Sequence, residues 1–192
     1  MPNVRKRGLS HVGFLTVLWL SIPSLAGCAF GTRKPILSYS PITSPRPAKG
    51  IAVQVAPLRD GRFEKELIGY MRNGYGMRTA KVVTETNIST WVTDALKAEL
   101  TNAGYTVTEG SGPVTINGEV LQVFCDAYLQ YEGKVELSLT VRRGSEVLLQ
   151  KKYQGTSESL NLAGTSKSYA LTLEKSLQSA LRDVIREIDA RL

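Results

Sequence analysis

Few groups in this chain have the type and spacing to do chemistry. In 192 residues there is one histidine, His11, and there are two cysteines, Cys28 and Cys125. A glycine-rich stretch runs Ile68-Gly69-Tyr70-Met71-Arg72-Asn73-Gly74-Tyr75-Gly76-Met77-Arg78. Its glycines invite a phosphate-cradling loop, but Gly69 and Gly74 are followed by Tyr75 rather than Lys and then Ser or Thr. Gly74 and Gly76 are followed by Thr79 where a dinucleotide loop needs glycine, so neither motif is complete. Cys28 has the more informative setting. It follows Leu25-Ala26-Gly27, and these follow the bases Arg5, Lys6 and Arg7 and an apolar run from Phe14 to Leu20. Ser21, Pro23 and Ser24 interrupt the extension of that run, which falls short of the ~20 residues of a spanning helix. A basic start, a short apolar stretch and small residues mark an export signal.

The Leu25-Ala26-Gly27-Cys28 sequence resembles the bacterial lipobox. The resemblance implies cleavage between Gly27 and Cys28 and acyl chains on Cys28, the new first residue. An Asp after the cysteine favours retention in the inner membrane of Gram-negative bacteria; Ala29 stands there, which implies sorting to the outer membrane with the domain facing the periplasm. More than one acyl chain makes such anchoring stable, since each buried CH₂ contributes about 0.8 kcal/mol.

Processing simplifies the chemistry. The bases Arg5, Lys6 and Arg7 leave with residues 1–27, so the +7 of the chain becomes +4. His11 leaves too, which excludes histidine-based triads and histidine metal sites. No metal or other cofactor is expected. Cys125 is then the only free thiol, and among Val123, Phe124 and Ala127 it reads as a buried small hydrophobe rather than a reactive group. A charge of +4 on an exported protein gives no reason to expect nucleic acid as a partner.

The elements that position these groups fall into three regions: a signal at 1–27, Cys28 with a tether at 28–50, and one domain at 51–192. Half of the eight prolines (Pro35, Pro41, Pro45 and Pro47) lie in the tether. It reads as an extended spacer at ~3.1 Å per residue, or as an irregular arm packed along the domain. Ile51–Val55 is a β-branched strand. Asn87 caps a helix whose apolar residues, from Ile88 through Trp91 and Leu96 to Ala103, follow a 3.6 period, and Gly104 closes it. A short strand follows at Tyr105–Thr108 and a longer one from Val114 to Leu129, where the apolar face switches near Val120 and Leu121 as at a bulge or in a strand buried on both sides. Val135, Leu137, Leu139 and Val141 alternate with polar residues in a half-buried strand. Glu146–Gly155 returns from a turn at Arg143-Gly144-Ser145, and Tyr131-Glu132-Gly133 is expected to turn the preceding hairpin. A long amphipathic helix begins near Ser166. The fold class is α+β: a two-layer domain with an antiparallel-rich mixed sheet of about 4–6 strands and two amphipathic helices on one face.

Between the first strand and the first helix, Arg59 to Lys81 holds six bases and three acids, a net +3 of the mature +4. Asn73-Gly74 reads as a two-residue hairpin turn with positive φ at both positions. The segment is either a solvated hairpin or a binding loop, in which Tyr70 and Tyr75 supply contact area on the frame of Asn73 and Gly74 while Arg62, Arg72 and Arg78 meet anions.

The order of Asp60-Gly61-Arg62, Ile68-Gly69, Tyr75-Gly76, Thr79-Ala80-Lys81-Val82-Val83 and Asn102-Ala103-Gly104-Tyr105-Thr106-Val107 behind a lipobox resembles the YajG-like family of bacterial lipoproteins. That resemblance implies location and architecture and supplies no catalytic residues. The expectation is a non-enzymatic envelope protein that binds an unidentified partner: protein, lipopolysaccharide or peptidoglycan. A lipid ligand would need an apolar cleft between helices and sheet. The alternatives are a passive oligomeric scaffold and a cell-wall hydrolase, although Asp60 and Asp126 stand in no catalytic motif. Replacing Cys28 with Ala is expected to abolish incorporation of labelled fatty acid and to leave the precursor uncleaved on a denaturing gel.

Overall fold

The sheet is organised by one long strand. In a computed structural model that describes residues 31–160 and 165–192, β6 (Val114–Ala127) pairs along one side with β7 (Gln130–Arg143), which pairs in turn with β8 (Glu146–Leu160), all antiparallel. Along its other side β6 takes three short strands in succession, each parallel to it. These are β1 (Ala52–Val55), β2 (Arg59–Asp60) and β3 (Leu67–Arg72). Beyond them β5 (Thr106–Thr108) pairs parallel with β1, and β4 (Arg78–Val83) pairs antiparallel with β3. The mixed sheet has eight strands among the described residues, more than the 4–6 expected. The excess comes from Arg59–Val83, where β2 is two residues long and β3 and β4 lack the apolar alternation that signals a strand.

A register shift between Val120 and Gln122 is the bulge that the switch of apolar face implied. It places Val114, Ile116 and Val120 before it, and Val123, Cys125 and Ala127 after it, on the same buried face. Helices α1 (Ile88–Asn102) and α2 (Ser166–Asp189) cover that face, while Lys134, Glu136, Ser138 and Thr140 of β7 face solvent on the other. Leu96 and Leu100 of α1, and Leu173, Leu177 and Leu181 of α2, join the strands in one apolar core. Asn87 caps α1 by accepting from the Thr90 N–H at 3.0 Å, and Gly104 follows the helix with φ 91°. Thr165 caps α2 in the same way.

The expected turn at Tyr131-Glu132-Gly133 is not there. The chain reverses at Tyr128-Leu129, and Gly133 lies inside β7 opposite Cys125. Its small size serves packing instead. A Cβ on Gly133 would lie 2.6 Å from Ser176 Oγ, and one on Gly155 of β8 would lie 1.9 Å from the Ser176 carbonyl oxygen. Helix α2 therefore rests on two glycines, close enough that a methyl group on either must displace it.

The signal segment, Cys28 and the Gly27–Cys28 cleavage site lie outside the described residues. From Arg33 onward the proline-rich stretch is a packed arm, the second of its two readings. Arg33 pairs main chain to main chain with the outer edge of β4, giving and receiving bonds of 2.9 Å with Lys81 and Val83. Leu37 is buried in the core, and the Trp91 indole N–H donates to the Ser38 carbonyl at 2.9 Å. The arm then crosses both helices. Tyr39 O–H and Ile42 N–H donate to Glu99 Oε1 at 2.6 and 2.8 Å, and Thr43 N–H donates to Oε2 at 3.0 Å. Ser40 N–H donates to Glu174 on α2 at 2.7 Å. Arg46 and Lys49 both reach Asp189 at 2.7 Å, near the end of α2. The arm thus belongs to the compact unit Gly31–Leu192.

Glu99 is buried and charged, held by hydrogen bonds in place of a cation. Burial alone would raise its pKa, but the bonds from Thr43, Tyr39 and Ile42 outweigh burial and hold it below the ordinary carboxylate value. Asp189 is lowered in the same way by Lys49, Tyr105 and Arg46 against its own burial. A carboxylate whose folded pKa is depressed stabilises the fold fully above its unfolded value and loses that contribution as pH falls through the folded value. Glu99→Ala is expected to cost about 2 kcal/mol by stranding the donors of the arm. Urea unfolding at neutral pH checks the loss, and tryptic cleavage after Lys49 should accelerate. In the parent chain, cleavage within the arm by an acid-tolerant protease should speed up as pH falls below ~4.

Candidate functional site

The β3–β4 hairpin juts from the end of the sheet where β6 turns into β7. Its turn differs from the sequence expectation. Neither Asn73 nor Gly74 has positive φ; Gly76 does, at 79°. Asn73 N–H donates to the Met77 carbonyl at 3.0 Å, and Gly76 N–H donates to the Asn73 carbonyl at 2.9 Å. This is a three-residue connection, a turn over Gly74-Tyr75 followed by a left-handed glycine. The Asn73 side chain selects it, since its Oδ1 accepts from both Tyr75 N–H at 3.0 Å and Met77 N–H at 3.1 Å.

Arg72 and Arg78 face one another across the hairpin. Like charges in that position repel, and each arginine is drawn off to a different partner. Arg72 Nε donates to Asp126 Oδ2 on β6 at 2.8 Å, and its Nη1 donates to the Gly76 carbonyl at 2.9 Å. The Arg78 guanidinium stacks over the Tyr70 ring at 4.1 Å, and Tyr70 meets Phe124 edge to face at 5.9 Å. From the facing turn, Tyr128 O–H donates to the Gly74 carbonyl at 2.9 Å.

Arg62 stands apart from this cluster and is 7% exposed. Its guanidinium grips Asp60 through Nε at 3.0 Å and Nη2 at 2.9 Å, and donates to the carbonyls of Leu67 and Lys65. It closes the loop from Asp60 to Leu67 and offers nothing to a ligand. Arg59 pairs with Glu119 at 2.8 Å. Much of the basic excess of Arg59–Lys81 is thus paired with acids of the fold; of the arginines read as anion contacts, Arg62 holds its own loop while Arg72 and Arg78 hold the hairpin. Asp60 and Asp126 are each committed to an arginine, on different strands. Cys125 is fully buried; burial first, then the Asp126 charge, pushes its thiol up to about 12, so it is an inert core residue.

What the hairpin presents outward is apolar. Tyr75 is 90% exposed and Met77 60%. Beside them stand Tyr128 and Leu129 of the β6–β7 turn, and Leu160, which pairs with Gln130 at the end of β8. Leu129 and Leu160 are 73% and 74% exposed. The sequence reading found Tyr75 and missed the others. Their one signal was apolar residues placed where strands end, which gains meaning only once those strand ends are known to meet. Between helices and sheet, where a lipid cleft was considered, the described side chains pack without exposure. A groove of about 490 Å³ lies elsewhere, between the arm and α1 along Leu37, Tyr39 and Trp91.

The fold is a two-layer α+β domain with one mixed sheet and two helices. A family model described as uncharacterized lipoprotein matches residues 44–190, and the chain belongs to that YajG-like family. Two solved structures share the fold. A protein from Xanthomonas campestris is 12% identical with a TM-score of 0.56, over 84% of this chain and 99% of that one. A hypothetical protein from Chlamydia trachomatis is 9% identical with a TM-score of 0.53, over 73% and 96%. A search of curated proteins found no match to the chain. Among the described residues, no helix is long and apolar enough to cross a membrane.

The hairpin residues should separate into two classes by mutation. Arg72→Ala and Asp126→Ala are expected to show a coupling of about 1 kcal/mol in a double-mutant cycle. Tyr75→Ser should change stability by less than about 0.5 kcal/mol. Urea denaturation of the four variants and the parent checks both.

Proposed function

We propose that the protein is a non-enzymatic lipoprotein of the outer membrane, anchored through acyl chains on Cys28, with its domain in the periplasm. In this reading it is an accessory factor that engages another component of the envelope through the β3–β4 turn. The observation that carries the reading is Tyr75, an almost fully exposed aromatic on a turn whose backbone is fastened by Asn73, Arg72 and Tyr128. A rigid backbone under an exposed ring lowers the entropy lost on contact. Rigid aromatics are favoured at interfaces for the same reason. Membership of a lipoprotein family and Ala29 after Cys28 support the location.

A photo-reactive residue at Tyr75 is the direct test in cells. A discrete adduct, of protein or lipid, is expected from position 75 and not from Arg142 at the far end of β7. Silence at position 75 in a strain with normal levels of the protein would overturn the reading.

A further inference from the structure

We propose that the apolar end formed by Tyr75, Met77, Tyr128, Leu129 and Leu160 rests on the phospholipid surface of the membrane that holds the anchor. This rests on the reading that Cys28 is acylated, and it names the component that the turn engages.

Three observations lead there. The first is the leash. A free tether of residues 29–50 would let the domain face its membrane in any direction, but the arm is docked from Arg33 onward. Arg33 is only five residue steps from Cys28, at most about 18 Å of extended chain.

The second is direction. Arg33 pairs parallel with Val82. Strand β4 starts at Arg78, next to the turn, and runs away from it. The chain therefore enters the domain from the side of the β3–β4 turn. Val82 is four residue steps along β4 from Arg78, about 13 Å, so the leash reaches the level of the turn and little further. The opposite end of the sheet, at Gly144-Ser145, lies a full 14-residue strand away, about 45 Å.

The third is chemistry. The exposed large apolar residues at this end come from two turns and the end of β8, and share one end of the sheet because β3, β6, β7 and β8 all have an end there. Two are tyrosines, which suit the boundary between acyl chains and headgroups. Behind them the Arg78 guanidinium lies over Tyr70, and exposed Lys81 stands further along β4, at the depth of headgroup phosphates. A short leash makes even a weak surface contact persistent, because the surface is always within reach.

The test uses the full acylated chain, purified from membranes and reconstituted in vesicles of phosphatidylethanolamine and phosphatidylglycerol. Leu129→Cys and Ser145→Cys variants carry an environment-sensitive thiol probe; buried Cys125 does not react. Brominated acyl chains in the vesicles are expected to quench the probe at position 129 at least about twofold and to leave the probe at 145 unchanged. Mass spectrometry of the same samples reports the acyl chains on Cys28. Equal, unquenched emission at both positions in acylated protein overturns the contact while the anchor stands. A chain without acyl mass overturns the anchor, and the inference with it.

Discussion

The carboxylate of Glu99 determines what kind of lipoprotein domain this is. It is buried on α1. Its charge is sustained by donors from the arm: the Tyr39 hydroxyl and the main-chain N–H groups of Ile42 and Thr43. Burying a charge this way is costly unless every oxygen is satisfied, and here the satisfying groups belong to a segment with no secondary structure of its own. The dependence is mutual. Without the arm, Glu99 and Glu174 would be carboxylates on an apolar helix surface; without them, the polar backbone of the arm would have no reason to lie there.

The helix layer that the arm crosses is itself placed by close backbone contact. Glycines 133 and 155 let the Ser176 turn of α2 settle onto β7 and β8, and the bulge in β6 keeps its apolar residues on the side that α2 covers. That same strand delivers Asp126 to Arg72 and leads into the turn whose Tyr128 bonds to Gly74. The geometry of the exposed end is therefore inherited from the core: β6 is shared by both, and its register determines which side chains emerge where it ends.

The helices, their caps and the alternating strand β7 were legible in the sequence because each is encoded by neighbours three or four, or two, residues apart. The bulge was legible for the same reason, as a slip in a local alternation. What was not legible depends on distance along the chain. Asp126 lies 54 residues from Arg72, so the arginine read as an available anion contact when it was already paired. Gly133 read as a turn because glycine usually punctuates; its role follows from Ser176 above it. The arm carried no period at all, and its bonds run to residues 48 or more positions away. The resemblance to a lipoprotein family pointed to the right architecture but, being silent on contacts, could not choose between tether and arm.

Charge and exposure pull in opposite directions in locating a contact surface here. By composition the basic Arg59–Lys81 segment attracts notice, yet cations that fold against acids lose most of their field to them, and partly buried pairs are far less available than exposed ones. Apolar residues behave differently. They gain nothing from staying in water, so four that are 60–90% exposed at one end of a well-packed domain are a cost that the core had room to avoid. Polar residues in place of these four would leave the same bonds intact, since the turn is held by Asn73, Arg72, Tyr128 and the left-handed Gly76. The exposed side chains are thus dispensable to folding, and the end that carries them is the end from which the chain arrives after Cys28. Folding constrains neither feature to match the other, whereas seating on a membrane constrains both.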